Sequence, residues 1–70
     1  MEKDWVKIMS DASPANILLM QGKLLEQDIH SVVIDKKDHA YQMFGESELY
    51  VHRSQVVMAL HTLNLSGNGD

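Results

Sequence analysis

The stretch from Gly45 to Leu65, GESELYVHRSQVVMALHTLNL, constrains this chain more than any other. Alternation over residues 46–52 puts Leu49 and Val51 on one side and Glu48, Tyr50 and His52 on the other, the period-two pattern of a half-buried strand. Ser54 then stands where a helix cap belongs. Over residues 55–63, Val56, Ala59, Leu60 and Leu63 recur at helical spacing, with Met58 and Leu65 off that face. A strand that turns straight into a helix, each with one apolar side, calls for a core shared between a sheet layer and a helix layer.

The rest of the chain supplies partners for that core. Residues 5–9 alternate, with Val6 and Ile8 on one face and Trp5, Lys7 and Met9 on the other, which predicts a first strand. A helix is predicted over residues 14–27, with Pro14 at its first position and either Ser13 or Asp11 as the cap. Ile17, Leu18, Met20, Leu24 and Leu25 fall in one stripe, interrupted by Gln21 and Asp28, while Leu19 lies opposite with Lys23 and Glu26. Gly22 in mid-helix costs about 1 kcal/mol relative to Ala; it either marks a close approach of another backbone or has no packing role. Residues 30–36 predict a second strand, with Val32 and Ile34 inward and Ser31, Val33 and Asp35 outward. Residues 37–45 read as a polar loop carrying Tyr41, Met43 and Phe44, and residues 66–70 as a disordered tail.

The order is β-α-β-β-α. The first strand, a crossover helix and the second strand make a right-handed unit, and the third strand slots between the two, antiparallel to both. The expected architecture is an α+β two-layer sandwich of truncated ferredoxin-like form: one domain over residues 1–65, sheet order 1-3-2, both helices on one face. The expected register pairs Val32 with Val51 and Ile34 with Leu49 inward, and Val33 with Tyr50 outward. It also sets Asp35 opposite Glu48, which is mildly unfavourable. A ferredoxin-like domain has a fourth strand beside the first; Asn64 and Leu65 are too few to form it, so strand one is expected to keep a free edge.

Size and composition narrow the function classes. A chain of 70 residues buries only about 60% of the surface its unfolded form exposes. Domains this small lean on disulfides, metals or association, and the absence of Cys removes the first and any thiolate metal site. Self-association or partner binding is the expected support. A net charge of −4, with six scattered basic residues, argues against nucleic acid, whose phosphates demand Lys and Arg. The segment MEKDWVK lacks the apolar core of a signal peptide, and the longest apolar run, residues 17–20, is far below the roughly twenty residues of a membrane span. The expectation is a cytoplasmic protein.

No motif carries chemistry. The four histidines (His30, His39, His52 and His61) form no HxxxH or HxH pair for a metal, and only Asp35, Asp38 and His39 stand near one another. Ser10, Ser13 and Ser54 read as helix caps, and no G-x-S-x-G is present. Glu46 and Glu48 share a strand with no evident pocket. No catalytic residue, cofactor or metal is assigned, and the chain is not expected to be an enzyme.

Three phrases carry a resemblance: WVKI near the start, LLEQDIHSVVIDKKD in the middle and GESELYVHRSQVVMAL towards the end. Over about residues 5–64 the chain resembles the prokaryotic signal-transducing-protein family, small bacterial domains of uncharacterised role. The resemblance implies a ferredoxin-like fold related to the regulatory PII-type domains, and a signalling or regulatory role. It brings no established catalytic or ligand residues. The chain departs from PII-type proteins in lacking a Gly-rich phosphate cradle over residues 37–45 and in having no fourth strand.

The candidate surface is the sheet face away from the helices, expected to carry Trp5, Lys7, Met9, Val33, Tyr50 and His52. Trp, Tyr and Met are enriched in the cores of protein interfaces. The same aromatics suit base stacking, but Asp35, Glu46 and Glu48 oppose the basic funnel that single-stranded nucleic acid requires. The alternative at this face is closure within the chain, with Trp5 and Tyr50 packed together or covered by Tyr41 and Phe44. The expected function is therefore binding without catalysis: a homodimer or partner complex through the open face or the strand-one edge. The other expectation is a PII-like small-molecule sensor with its ligand held between subunits.

Overall fold

The computed structural model describes residues 3–35 and 46–64. Strand β1 (Trp5–Asp11) leads to helix α1 (Pro14–Glu26), then to β2 (Ser31–Asp35) and β3 (Ser47–His52). A 3-10 turn (Arg53–Gln55) opens helix α2 (Val56–Thr62). The chain is a small α+β domain with the three strands antiparallel in the order β1-β3-β2. The loop expected at residues 37–45, with Tyr41 and Phe44, and the tail at 66–70 lie outside the described residues.

Both helices lie against the face of the sheet that carries Leu49 and Val51. Ile17 and Leu24 of α1, Ile29, Leu49 and Val51 of β3, and Ala59 and Leu63 of the α2 end form the buried core. Ile8, Met9, Met20, Val33 and Val56 pack around it.

The start of α1 settles the choice of cap. Ser13 is the N-cap, its Oγ accepting from the Asn16 backbone N–H at 3.3 Å, with Pro14 just inside the helix. Asp11 supports the cap rather than replacing it: Oδ1 accepts from the Ser13 backbone N–H at 2.8 Å and Oδ2 from the Asn16 side-chain amide at 3.2 Å. At the far end, Asp28 adopts φ 65°. The Asp28 N–H then reaches the Leu25 carbonyl and the Ile29 N–H reaches that of Leu24, both at 2.9 Å. This is a Schellman ending, sealed by Leu24 and Ile29, both fully buried.

The register of β2 and the faces of β1 differ from expectation. In β2, Val33 pairs with Leu49, Val32 with Tyr50, Ile34 with Glu48 and Asp35 with Ser47. The strand is shifted by one residue, which exchanges its faces. Val33 packs on the core, whereas Val32 and Ile34 take the open side. The shift also removes the Asp35–Glu48 juxtaposition, since Asp35 now opposes a buried serine. In β1, a bulge between Lys7 and Met9 sets Met9, not Ile8, opposite Leu49. Met9 and Ile8 both pack on the core, and Ser10 is exposed opposite Glu48. Without the bulge, alternation from Val6 would bury Ser10 and expose Met9, which is the costlier arrangement.

The α1 stripe is narrower than its sequence suggests. Ile17 and Leu24 are buried and Met20 packs beside them, but Leu18 and Leu25 are 60% and 56% exposed. Width is the reason. Three strands spaced about 4.8 Å apart make a layer roughly 14 Å wide, narrower than two helices side by side, each about 10–12 Å across with its side chains. The outer flank of α1 therefore overhangs the sheet. Gly22 has nothing within 4 Å of the position a side chain would take, so no backbone approaches it within the described chain.

Candidate interaction face

The face opposite the helices is built by alternation from all three strands. From β1 it takes Trp5 and Lys7, from β3 His52, Tyr50 and Glu48, and from β2 Val32 and Ile34. The ladder sets them in rows: Trp5 beside His52, Lys7 beside Tyr50 beside Val32, and Glu48 beside Ile34. Of the six residues expected here, Trp5, Lys7, Tyr50 and His52 are brought together. Met9 and Val33 are not: the bulge and the register shift carry both to the helix side.

Three residues that shape the face were absent from the expected set. Val32 and Ile34 arrive with the shifted register. The apolar run Val32-Val33-Ile34 occupies both parities of a strand, so alternation alone does not choose its inner side. Ile29 was the available signal, because it enters the core two and four residues before Ser31 and Val33, on the same parity. Glu48 has the outward position expected of it and is in addition the polar centre of the face.

Glu48 holds two neighbours with its two oxygens. Tyr50 donates its hydroxyl to Oε1 at 2.8 Å, and Lys7 Nζ lies 3.4 Å from Oε2. The Lys7 side chain remains 51% exposed, so this ion pair contributes little stability and chiefly orients the carboxylate. The Tyr50 pKa is raised above the ordinary tyrosine value, first by its hydrogen bond to Glu48, then by desolvation, then by the charge of Glu48.

His52 has a different part from the one expected. Its ring stands edge-on to Trp5, with centroids 5.7 Å apart and planes at 85°. Its Nδ1 accepts from the Ser54 backbone N–H at 3.2 Å and lies 2.9 Å from Ser54 Oγ. His52, not Ser54, is the side-chain cap of the turn that opens α2, while Gln55, at the α-helical boundary, makes no side-chain cap bond. The corner is tied to the residue just before β1 by the Arg53 N–H to the Asp4 carbonyl at 2.7 Å and by Arg53 Nε to Asp4 Oδ1 at 3.2 Å.

The arrangement offers aromatic and β-branched surface around one charged centre. Among the described residues no helix lies over this face, and no group of three or more His, Asp and Glu is placed to hold a metal. Nor is any described helix long and apolar enough to cross a membrane. No protein-family model, curated protein or solved structure matches the chain.

Proposed function

We propose that this chain is a non-catalytic protein-binding domain that takes its partner on the open sheet face. One observation carries the reading: Trp5, Tyr50, Val32 and Ile34 lie together on a face over which the described chain places no element. Such a cluster, with Lys7 and Glu48 among it, has the mixed aromatic, aliphatic and charged character of an interface core and rim. Of the two surfaces expected, the strand-one edge is the weaker, because its bulge interrupts regular pairing. The signalling or regulatory role and the cytoplasmic location proposed with this reading draw on the resemblance and on the cysteine-free composition.

The test compares affinity capture from the source cell's lysate by the unaltered chain and by Tyr50→Ser and Ile34→Lys. Circular dichroism first establishes that both variants are folded. A protein retained by the unaltered chain and lost by both variants supports the reading; capture that survives both overturns it. The PII-like sensor reading is addressed separately by thermal shift with nucleotides. A ligand at 100 times its dissociation constant adds about 2.7 kcal/mol, and no shift removes that alternative.

A further inference from the structure

We propose that a second copy of this chain pairs along the outer edge of β2, joining two three-stranded sheets into one. The inference does not depend on the open-face reading, since it uses a different surface. Among the described residues the sheet has two outer strands, β1 and β2. The two edges are not equivalent. β1 carries a bulge and an exposed lysine, Lys7, the devices that keep natural edges from pairing. β2 reads Ser-Val-Val-Ile-Asp in regular register, with no bulge, proline or lysine.

β2 is also complementary to itself. A twofold axis perpendicular to the sheet through Val33 lays two copies antiparallel and keeps both helix layers on one side. This is the one centre that pairs all of Ser31–Asp35. Val33 then opposes its own copy on the core side, and Val32 opposes the partner's Ile34 on the open side. Ser31 opposes the partner's Asp35. Ser31 Oγ is buried with no hydrogen-bond partner among the described residues. Asp35 has an interaction of its own, and an ionised carboxylate retains lone pairs for a second donor.

The helix layer fits the same occupant. Where α1 overhangs β2, a groove of about 290 Å³ runs between Leu18, Gly22 and Leu25 above and Ile29 and Ser31 beside the sheet; Gln21 crosses it, its Nε2 donating to the Ser31 carbonyl at 3.2 Å, and that oxygen keeps a second lone pair for the partner. A strand added to β2 lies beneath that overhang, and the twofold brings the partner's α1 towards the first. Leu18 and Leu25, more than half exposed in the single chain, are buried between them. One placement of one partner thus accounts for a regular outer strand among the described residues, an overhanging apolar flank and an unsatisfied hydroxyl.

Sedimentation velocity on the full chain, from about 1 to 300 µM, reads the association in the range of modest interfaces. The expected result is a concentration-dependent dimer. The double variant Leu18→Glu/Leu25→Glu, which alters only exposed side chains, weakens it at least about tenfold. Val57→Ser, on the exposed side of α2 and away from β2, leaves it unchanged. Hydrogen exchange at the amides of Ser31–Asp35 slows as concentration rises, a readout that does not rely on any variant. A monomer throughout the range overturns the proposal. So does a dimer indifferent to the double variant, or one that Val57→Ser dissociates.

Discussion

Tyr50 keeps its proton more firmly than a free tyrosine because its hydroxyl donates to Glu48 and the ionised ring would face that carboxylate. The raised pKa means that the folded state favours the neutral phenol. The contribution to stability is therefore complete below the ordinary tyrosine range and is lost as pH rises through the raised value. In a Tyr41→Phe background, ultraviolet titration of the phenol should show Tyr50 ionising later than free tyrosine. Glu48→Gln should bring the transition down towards the ordinary value. Asp28 is a second residue with a measurable consequence. It holds φ 65°, where glycine is favoured, and its carboxylate sits at the negative end of the α1 dipole. Asp28→Gly should stabilise the domain by about 0.5–1 kcal/mol, a rise of roughly 4–8 °C in Tm per kcal/mol for a domain of this size. The left-handed requirement at this position was not legible in the sequence, since Asp28 read there as an interruption of the apolar stripe. It follows from Ile29 having to turn back over Leu24.

At the scale of elements, strand and helix types were legible because each segment carries a clear period, and faces were legible only where the period was unambiguous. β3 alternates Ser47, Leu49 and Val51 against Glu48, Tyr50 and His52, and the structure keeps that division. β2 is apolar on both parities, so its inner side was decided by where Ile29 enters the core and by the cost of setting Asp35 against Glu48. The β1 bulge had a faint trace, a serine where alternation called for a core residue. The corner between β3 and α2 shows a substitution of roles: Ser54 has the composition of a cap, but the ring of His52 reaches the amide. His52→Ala should cost about 1 kcal/mol for the cap, plus the edge contact with Trp5. His52→Asn should recover the cap portion in urea denaturation, and Ser54→Ala should cost less than His52→Ala.

For the whole molecule, the core is small enough that one side chain decides folding. At about 0.05–0.15 kcal/mol per residue, a domain of this length has only several kcal/mol of stability, and a buried Leu→Ala change removes about 2–5. Leu49→Ala, at the centre of the sheet beneath both helices, should leave a substantial unfolded fraction at room temperature by circular dichroism, whereas Met58→Ala, on the exposed side of α2, should not. By itself, the sequence determined the element order, the 1-3-2 sheet, the shared helix face and, of the six residues expected on the open surface, the four that lie there: Trp5, Lys7, Tyr50 and His52. Those follow from local periodicity, which a chain carries in every short window. Only the tertiary structure decided that Met9 and Val33 turn inward, that Val32 and Ile34 take the open face, and that Leu18 and Leu25 overhang an edge. These depend on a register, a bulge and the relative widths of two layers. Each is set by which pairing buries the most apolar surface with the fewest opposed charges, a comparison made across strands and invisible along any one of them.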